Sequence, residues 1–420
     1  MREGFRSRVG LVAVVGLALG VPVFGMVVDA PVAVAGTSCV AGPLTVTTNA
    51  DSATPGTLRT ALTNASGVAS AQTICIDTTL VTAPIVAGSD LPTLANTTGP
   101  LTIEGNGATV DGNGHVLIDD ASSALLTVDA ITLTGGHNSN GGGILEGAFP
   151  TPGSVVVTNS TIVNNTSDDL GGGIFVGGHG SLTVINSTIA GNTADNAGGG
   201  MEADAGVTIT NSTISGNTAA SEGGGLFSEV ATVTNSTVAN NTAGSGGGGG
   251  ILVEGTLTLV YATVVGNTAP NPTGANIDGF SDTALTSFGS VVASPHGGGT
   301  NCAALTGTTS QGWNWDDDGT CGFGAGTGDH SNGGNPELGA LANNGGSTQT
   351  LLPAAGSPLI DAIPLASCGA GIGITTDQIG TTRPQGPGCD VGAVEVPVVT
   401  PPAPSPAAPT PVVTAPTFTG

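Results

Sequence analysis

The sequence predicts an all-β chain: a single-stranded right-handed parallel β-helix with a short N-terminal helical cap and a disulfide-tied C-terminal cap. Three observations carry that prediction. An octapeptide returns at near-constant spacing, a glycine cluster follows each copy, and small and β-branched residues replace the usual aromatic core.

The octapeptide reads NSTIVNNT from Asn159, NSTIAGNT from Asn186, NSTISGNT from Asn211 and NSTVANNT from Asn235, with a degenerate YATVVGNT from Tyr261. The steps are 27, 25, 24 and 26 residues, a period that marks stacked supersecondary units. Glycine clusters follow at 171–173, 198–200, 223–225 and 246–250, and an earlier one at 141–143 follows DAITLTGG. Within a copy the apolar residues alternate with period two, which places Ile162, Ile189, Ile214, Val238 and Val264 in one inward column. No sustained helical period competes with this. About 25 residues per turn suits three short strands and three bends, with neighbouring coils ~4.8 Å apart.

Two asparagine rows fall at fixed bends: Asn159, Asn186, Asn211 and Asn235, then Asn165, Asn192, Asn217, Asn241 and Asn267. Asparagine tolerates left-handed backbone angles, and stacked amides can hydrogen-bond along the axis. The glycine clusters mark bends where φ is positive or no side chain fits.

Composition agrees with a thin, repetitive core. The chain has 420 residues with 72 glycines, 3% aromatic and 8% charged residues, yet a mean hydropathy of +0.27. That is not the charged, apolar-poor profile of a disordered chain. The formal net charge is −25. Arg2, Arg6 and Arg8, the apolar run 9–24 and Ala33-Val34-Ala35 before Gly36 read as an export signal with an A-x-A cleavage site over 1–35. After cleavage only Arg59 and Arg383 remain as basic residues, so nucleic acid and anionic membrane surfaces are poor partners.

Six cysteines flank the repeats and suit an oxidising compartment. Paired in order they give Cys39–Cys75, Cys302–Cys321 and Cys368–Cys389, one of fifteen connectivities. Solenoid ends need covers. In GTLRTALTNA, Leu58, Ala61, Leu62 and Ala65 share one helical face and supply an N-terminal cap. The division predicted is a signal over 1–35, cap and first strands over 36–100, coils over 101–300, a C-terminal domain over 301–396, and a stiff Pro/Thr-rich tail over 397–420.

At these residues the chain resembles a bacterial group. DSATPGTLRTALTNA is similar to the CSLREA-type N-terminal segment of secreted β-helix proteins, and the NSTIxxN and GGG coils resemble polymorphic-outer-membrane-type repeats. NPELGALANNGGSTQTLLPAAGSPLIDA followed by TDQIGTTRPQGPGCDVGAVE resembles a choice-of-anchor Q domain. Together they cover roughly residues 39–396. The resemblance implies a surface or secreted protein with no common assigned chemistry.

Catalytic candidates come from the polysaccharide enzymes of pectin-lyase-like fold. Asp168, Asp169 and His179, the last in G-H-G, resemble the paired Asp and G-H-G of polygalacturonase-like hydrolases, where two carboxylates act as acid and base. The ten-residue step from Asp169 to His179 is too short to stack them on successive coils. A lyase would need an arginine or lysine base, and neither Arg59 nor Arg383 lies in the repeats. Glu229 and Glu254, with Glu146 and Glu202 near the same row, form a solvated acidic face on this reading. Asn314, Asp316 and Asp318 before Gly319 match the opening of an EF-hand loop, making calcium the candidate ion, although Ala325 stands where the closing Glu belongs. Thr161, Thr188, Thr213, Thr237 and Thr263 form an outward threonine column of the kind that orders water on ice-binding solenoids.

These features predict a monomeric, non-catalytic β-helix, exported to the cell surface or medium, that presents a long face to a glycan, matrix or surface protein. No cofactor is called for beyond the candidate calcium. The alternatives are a polysaccharide lyase or glycoside hydrolase, and a water-ordering threonine solenoid.

Overall fold

The computed structural model describes residues 39–95, 99–147, 153–270, 272–324, 326–368 and 373–397. The export segment 1–35 lies outside them, and so does the tail apart from Pro397.

The repeats stack as parallel coils. One full coil runs Ser181–Ile185, Thr188–Ala190, Thr193–Ala194 and Met201–Ala203, four strand segments where the period implied three. The extra one is a two-residue strand that closes a small sheet of its own. The register is that of the repeats: Ile162 opposes Ile189, which opposes Ile214, Val238 and then Val264. All five are fully buried, with Leu133 before them and Val292 after. Parallel pairing begins at Thr45–Val46 on Gln72–Ile76 and ends at His330–Ser331, reaching beyond 101–300 on both sides. Cys302 lies inside this ladder, opposite Ile277.

The two asparagine rows divide the work attributed to each. Asn159, Asn186, Asn211 and Asn235 take the left-handed bend, with φ of 49°, 49°, 51° and 45°. The amide ladder belongs to the other row. Asn165 donates to Asn192, Asn192 to Asn217, Asn217 to Asn241, Asn241 to Asn267, Asn267 to Asn276 and Asn276 to Asn301, each near 3 Å. The last donor, Asn301, gives its N–H to the Asp316 carboxylate at 2.8 Å. An ionised carboxylate only accepts, so it terminates a chain of donors without leaving an amide over.

The glycine triplets make room for this ladder. Gly171 has φ +61°, and a Cβ on Gly172 would collide with the Gly199 carbonyl and with Thr193. The bend is therefore too tight for any side chain.

The N-terminal end is covered as the sequence predicts, and the C-terminal segment carries the predicted disulfide. The helix Leu58–Ala65 is capped by the Thr57 hydroxyl and buries Leu58, Ala61, Leu62 and Ala65. Residues 335–368 and 373–396 pack along the side of the coils. Gln378 reaches Thr213 Oγ1 at 2.9 Å through Nε2 and accepts from Thr237 Oγ1 at 2.7 Å. Thr263 Oγ1 accepts from Ala393 N at 3.0 Å, and Asn235 donates to Thr376 O. Buried Arg383 locks this cover: it pairs with Glu395 at 2.9 Å and stacks over the Tyr261 ring at 4.1 Å. Disulfides join Cys39 to Cys75, Cys302 to Cys321 and Cys368 to Cys389.

Candidate functional site

The fourth strand of each coil follows its glycine triplet directly and reads in–out–in. The outward position is therefore the second residue after the glycines. Register makes Leu145, Phe175, Glu202, Phe227, Leu252 and Asp278 consecutive neighbours in one outward column. Phe280, an exposed aromatic, sits 6.5 Å from the Phe227 ring centroid. This column of rings and carboxyls is the most chemically distinctive surface among the described residues.

Glu202 stands between Phe175 and Phe227 and is only 6% exposed. Its Oε2 has no hydrogen-bond partner. Burial above all, then the charges of Asp204, Asp169, Glu222 and Glu254, push its carboxyl up to about 8. Asp278 is also raised, by burial and then by Glu222, against backbone N–H groups of Gly279 and Gly274 that lower it. Its carboxylate lies where a Gly247 side chain would be. Like charges collected in a partly dry corner favour the protonated acid.

The acidic row read from sequence is thus not one row. Glu146 points inward, opposite Asp120 and Val176, and is fully buried. Glu202 points outward but is buried by its neighbours, not solvated. Glu229 and Glu254 are exposed where the register between their strands shifts. Burial raises Glu254, with Glu229 as its largest like-charge neighbour.

The other sequence candidates separate. Asp168 and Asp169 are exposed in the bend before the strand Ile174–Val176, bonded to His137 at 2.9 Å and to Asn196 at 2.9 Å respectively. His179 is exposed in the bend after that strand, at φ 70°. The two bends lie at opposite ends of that strand. In the calcium candidate, Asp316, Asp317 and Asp318 come together, but Asn314 does not join them. Its amide faces the interior, accepting from Ser287 and Ser290 and donating to Asp329. The aspartates are occupied as acceptors for Asn301, Ser294, Thr320 and Cys321, and burial raises Asp316. Ala325 lies outside the described residues. Of the threonine column, Thr161 and Thr188 are half-buried while Thr213, Thr237 and Thr263 are buried under the C-terminal cover. The column therefore presents no uninterrupted face of the kind the water-ordering alternative needs. Both arginines are committed too: Arg59 to Asp51 at 2.7 Å in the cap, Arg383 to Glu395.

A family model described as right handed beta helix region matches residues 94–269. No curated protein matches the chain. Among solved structures, the crystal structure of pectate lyase Pel9A is similar over 83% of this chain and 95% of that chain, at 13% sequence identity and a TM-score of 0.45. The chain is a right-handed parallel β-helix repeat protein.

Proposed function

We propose that this β-helix is an exported, non-catalytic module that binds an uncharged glycan along its acid–aromatic face. One observation carries the reading: Phe175 and Phe227 project from the same column two coils apart. At ~4.8 Å per coil that separation is roughly 10 Å, close to the length of a β-linked disaccharide unit. Two half-exposed rings at that spacing suit alternate sugars of an extended chain, because apolar faces give contact area and a few polar groups fix orientation. The acids around Glu202 argue against a uronate ligand, which brings its own negative charge. A lyase would also need a cation beside the uronate, and Arg59 and Arg383 are each held by a carboxylate elsewhere. The three disulfides favour export.

The test is retention of purified protein on immobilised cellulose, xylan, galactomannan and polygalacturonate. Retention on a neutral glycan is expected, and Phe175→Ala or Phe227→Ala should weaken it about tenfold, a loss of ~1.4 kcal/mol. Release of unsaturated products from polygalacturonate would establish the lyase instead. New reducing ends from a neutral glycan would make the face catalytic.

A further inference from the structure

Resting on that reading of the face, we propose that Glu202 is its polar anchor: the carboxyl hydrogen-bonds the sugar that lies between those stacked on Phe175 and Phe227, and it selects uncharged glycans over uronates. Three features of the molecule support this. Glu202 sits midway in register between the two rings, opposite both. It is 6% exposed, and its Oε2 is enclosed without a partner. A buried carboxyl oxygen left without a hydrogen bond costs stability.

The groups facing it are all acidic. Asp169 comes from the bend of the preceding coil, Asp204 from two residues on, Glu222 from the bend of the next coil and Glu254 from the coil beyond. Burial first, and these acids after it, push the Glu202 carboxyl up to about 8. A protonated carboxyl offers one donor and spare acceptor capacity, the complement of neighbouring sugar hydroxyls. A bound sugar also removes the remaining water, which disfavours the charged form further. Binding and proton are therefore linked: the glycan binds the protonated protein more tightly, and its affinity falls once pH exceeds the free-protein value.

The experiment uses the full mature chain and the neutral polysaccharides cellulose and xylan, with retention measured at about pH 6 and about pH 9.5, either side of the Glu202 transition near 8. Wild type should bind about tenfold more weakly at the higher pH, ~1.4 kcal/mol. Glu202→Gln, which keeps donor and acceptor but cannot ionise, should bind within about twofold at both values. Phe175→Ala should be weaker at both. A wild type indifferent to pH overturns the assignment, as does a Glu202→Gln protein with the wild-type profile or retention that requires added calcium. If neither polysaccharide is retained, or Phe175→Ala binds like wild type, the reading of the face fails and the anchor with it. Wild-type titration alone decides the matter should Glu202→Gln fold poorly by far-UV circular dichroism.

Discussion

Two faces stand on the same coils, and the C-terminal segment lies over one of them. On the threonine face, Thr213 and Thr237 present small hydroxyls on neighbouring rungs, and one Gln378 amide spans both. Each hydroxyl can give and take a hydrogen bond, so one neutral amide from elsewhere in the chain satisfies both. On the other face Phe175, Glu202 and Phe227 project rings and an acid. A cover there would have to neutralise or further bury carboxyls, and this chain has two arginines to offer after its first eight residues. Both are in use. The chain hides the surface it can satisfy and leaves Phe175 and Phe227 half-exposed on the one that a neutral external ligand suits better.

Removing the lock on the covered side should produce the largest effect. Arg383 and Glu395 are both buried, and Arg383 also donates to the Asp390 and Gly392 carbonyls. Arg383→Ala leaves Glu395 without its cation and should cost about 3–5 kcal/mol. Limited proteolysis should then cut within 335–396 while the coils stay protected. Simultaneous loss of coils and cover in a urea melt would mean that the two fold as one unit.

The interior beneath both faces gives the next test. Ile189 and Ile214 are adjacent, fully buried rungs. Ile189→Ala and Ile214→Ala should each cost roughly 2–5 kcal/mol in urea melts, through lost transfer energy and the cavity left behind. Ile214 lies under the covered stretch and Ile189 beside its edge. Similar losses are expected, because coil stability is shared mainly with neighbouring coils. A much smaller loss at Ile189 would show that the cover, not stacking, sets stability.

The inward column was legible because period two and the repeat register over-determine it. Each Ile or Val falls at the same place in each octapeptide, and a slip of one residue would expose all of them. The acid–aromatic column was equally legible in principle. GGGIFV, GGGMEA, GGGLFS and GGGILV align Phe175, Glu202, Phe227 and Leu252 at the second residue after the glycines. Counting acids by a looser offset instead grouped Glu146 with Glu202, although one residue of phase puts the first inside and the second outside. The lateral cover carried no such signal. Alternation tells inside from outside but not what lies on the outside, and Gln378 is 165 residues from Thr213. The EF-like spacing picked out Asp316 and Asp318, which do come together, whereas Asn314 bonds to Ser287, Ser290 and Asp329 instead.

The smallest effect is the sharpest probe of the comparison. Thr188 and Thr213 are adjacent rungs of one column with the same local sequence, so alternation alone assigns them equal and negligible weight. Their surroundings differ. Thr213 is fully buried, donates to the Gln349 carbonyl and accepts from Gln378 Nε2, whereas Thr188 is half-buried outside the cover. Thr213→Ala removes an acceptor from a buried amide and should cost about 1–2 kcal/mol. Thr188→Ala should cost under about 0.5 kcal/mol, as at an ordinary surface site. A Gln378→Ala background makes the comparison internal: with the amide gone, Thr213→Ala should lose most of its penalty, since contacting pairs are non-additive. Equal small losses at both threonines, unchanged in that background, would mean the cover does not rest on this face in solution. The division between a satisfied side and an open side would then have to be abandoned.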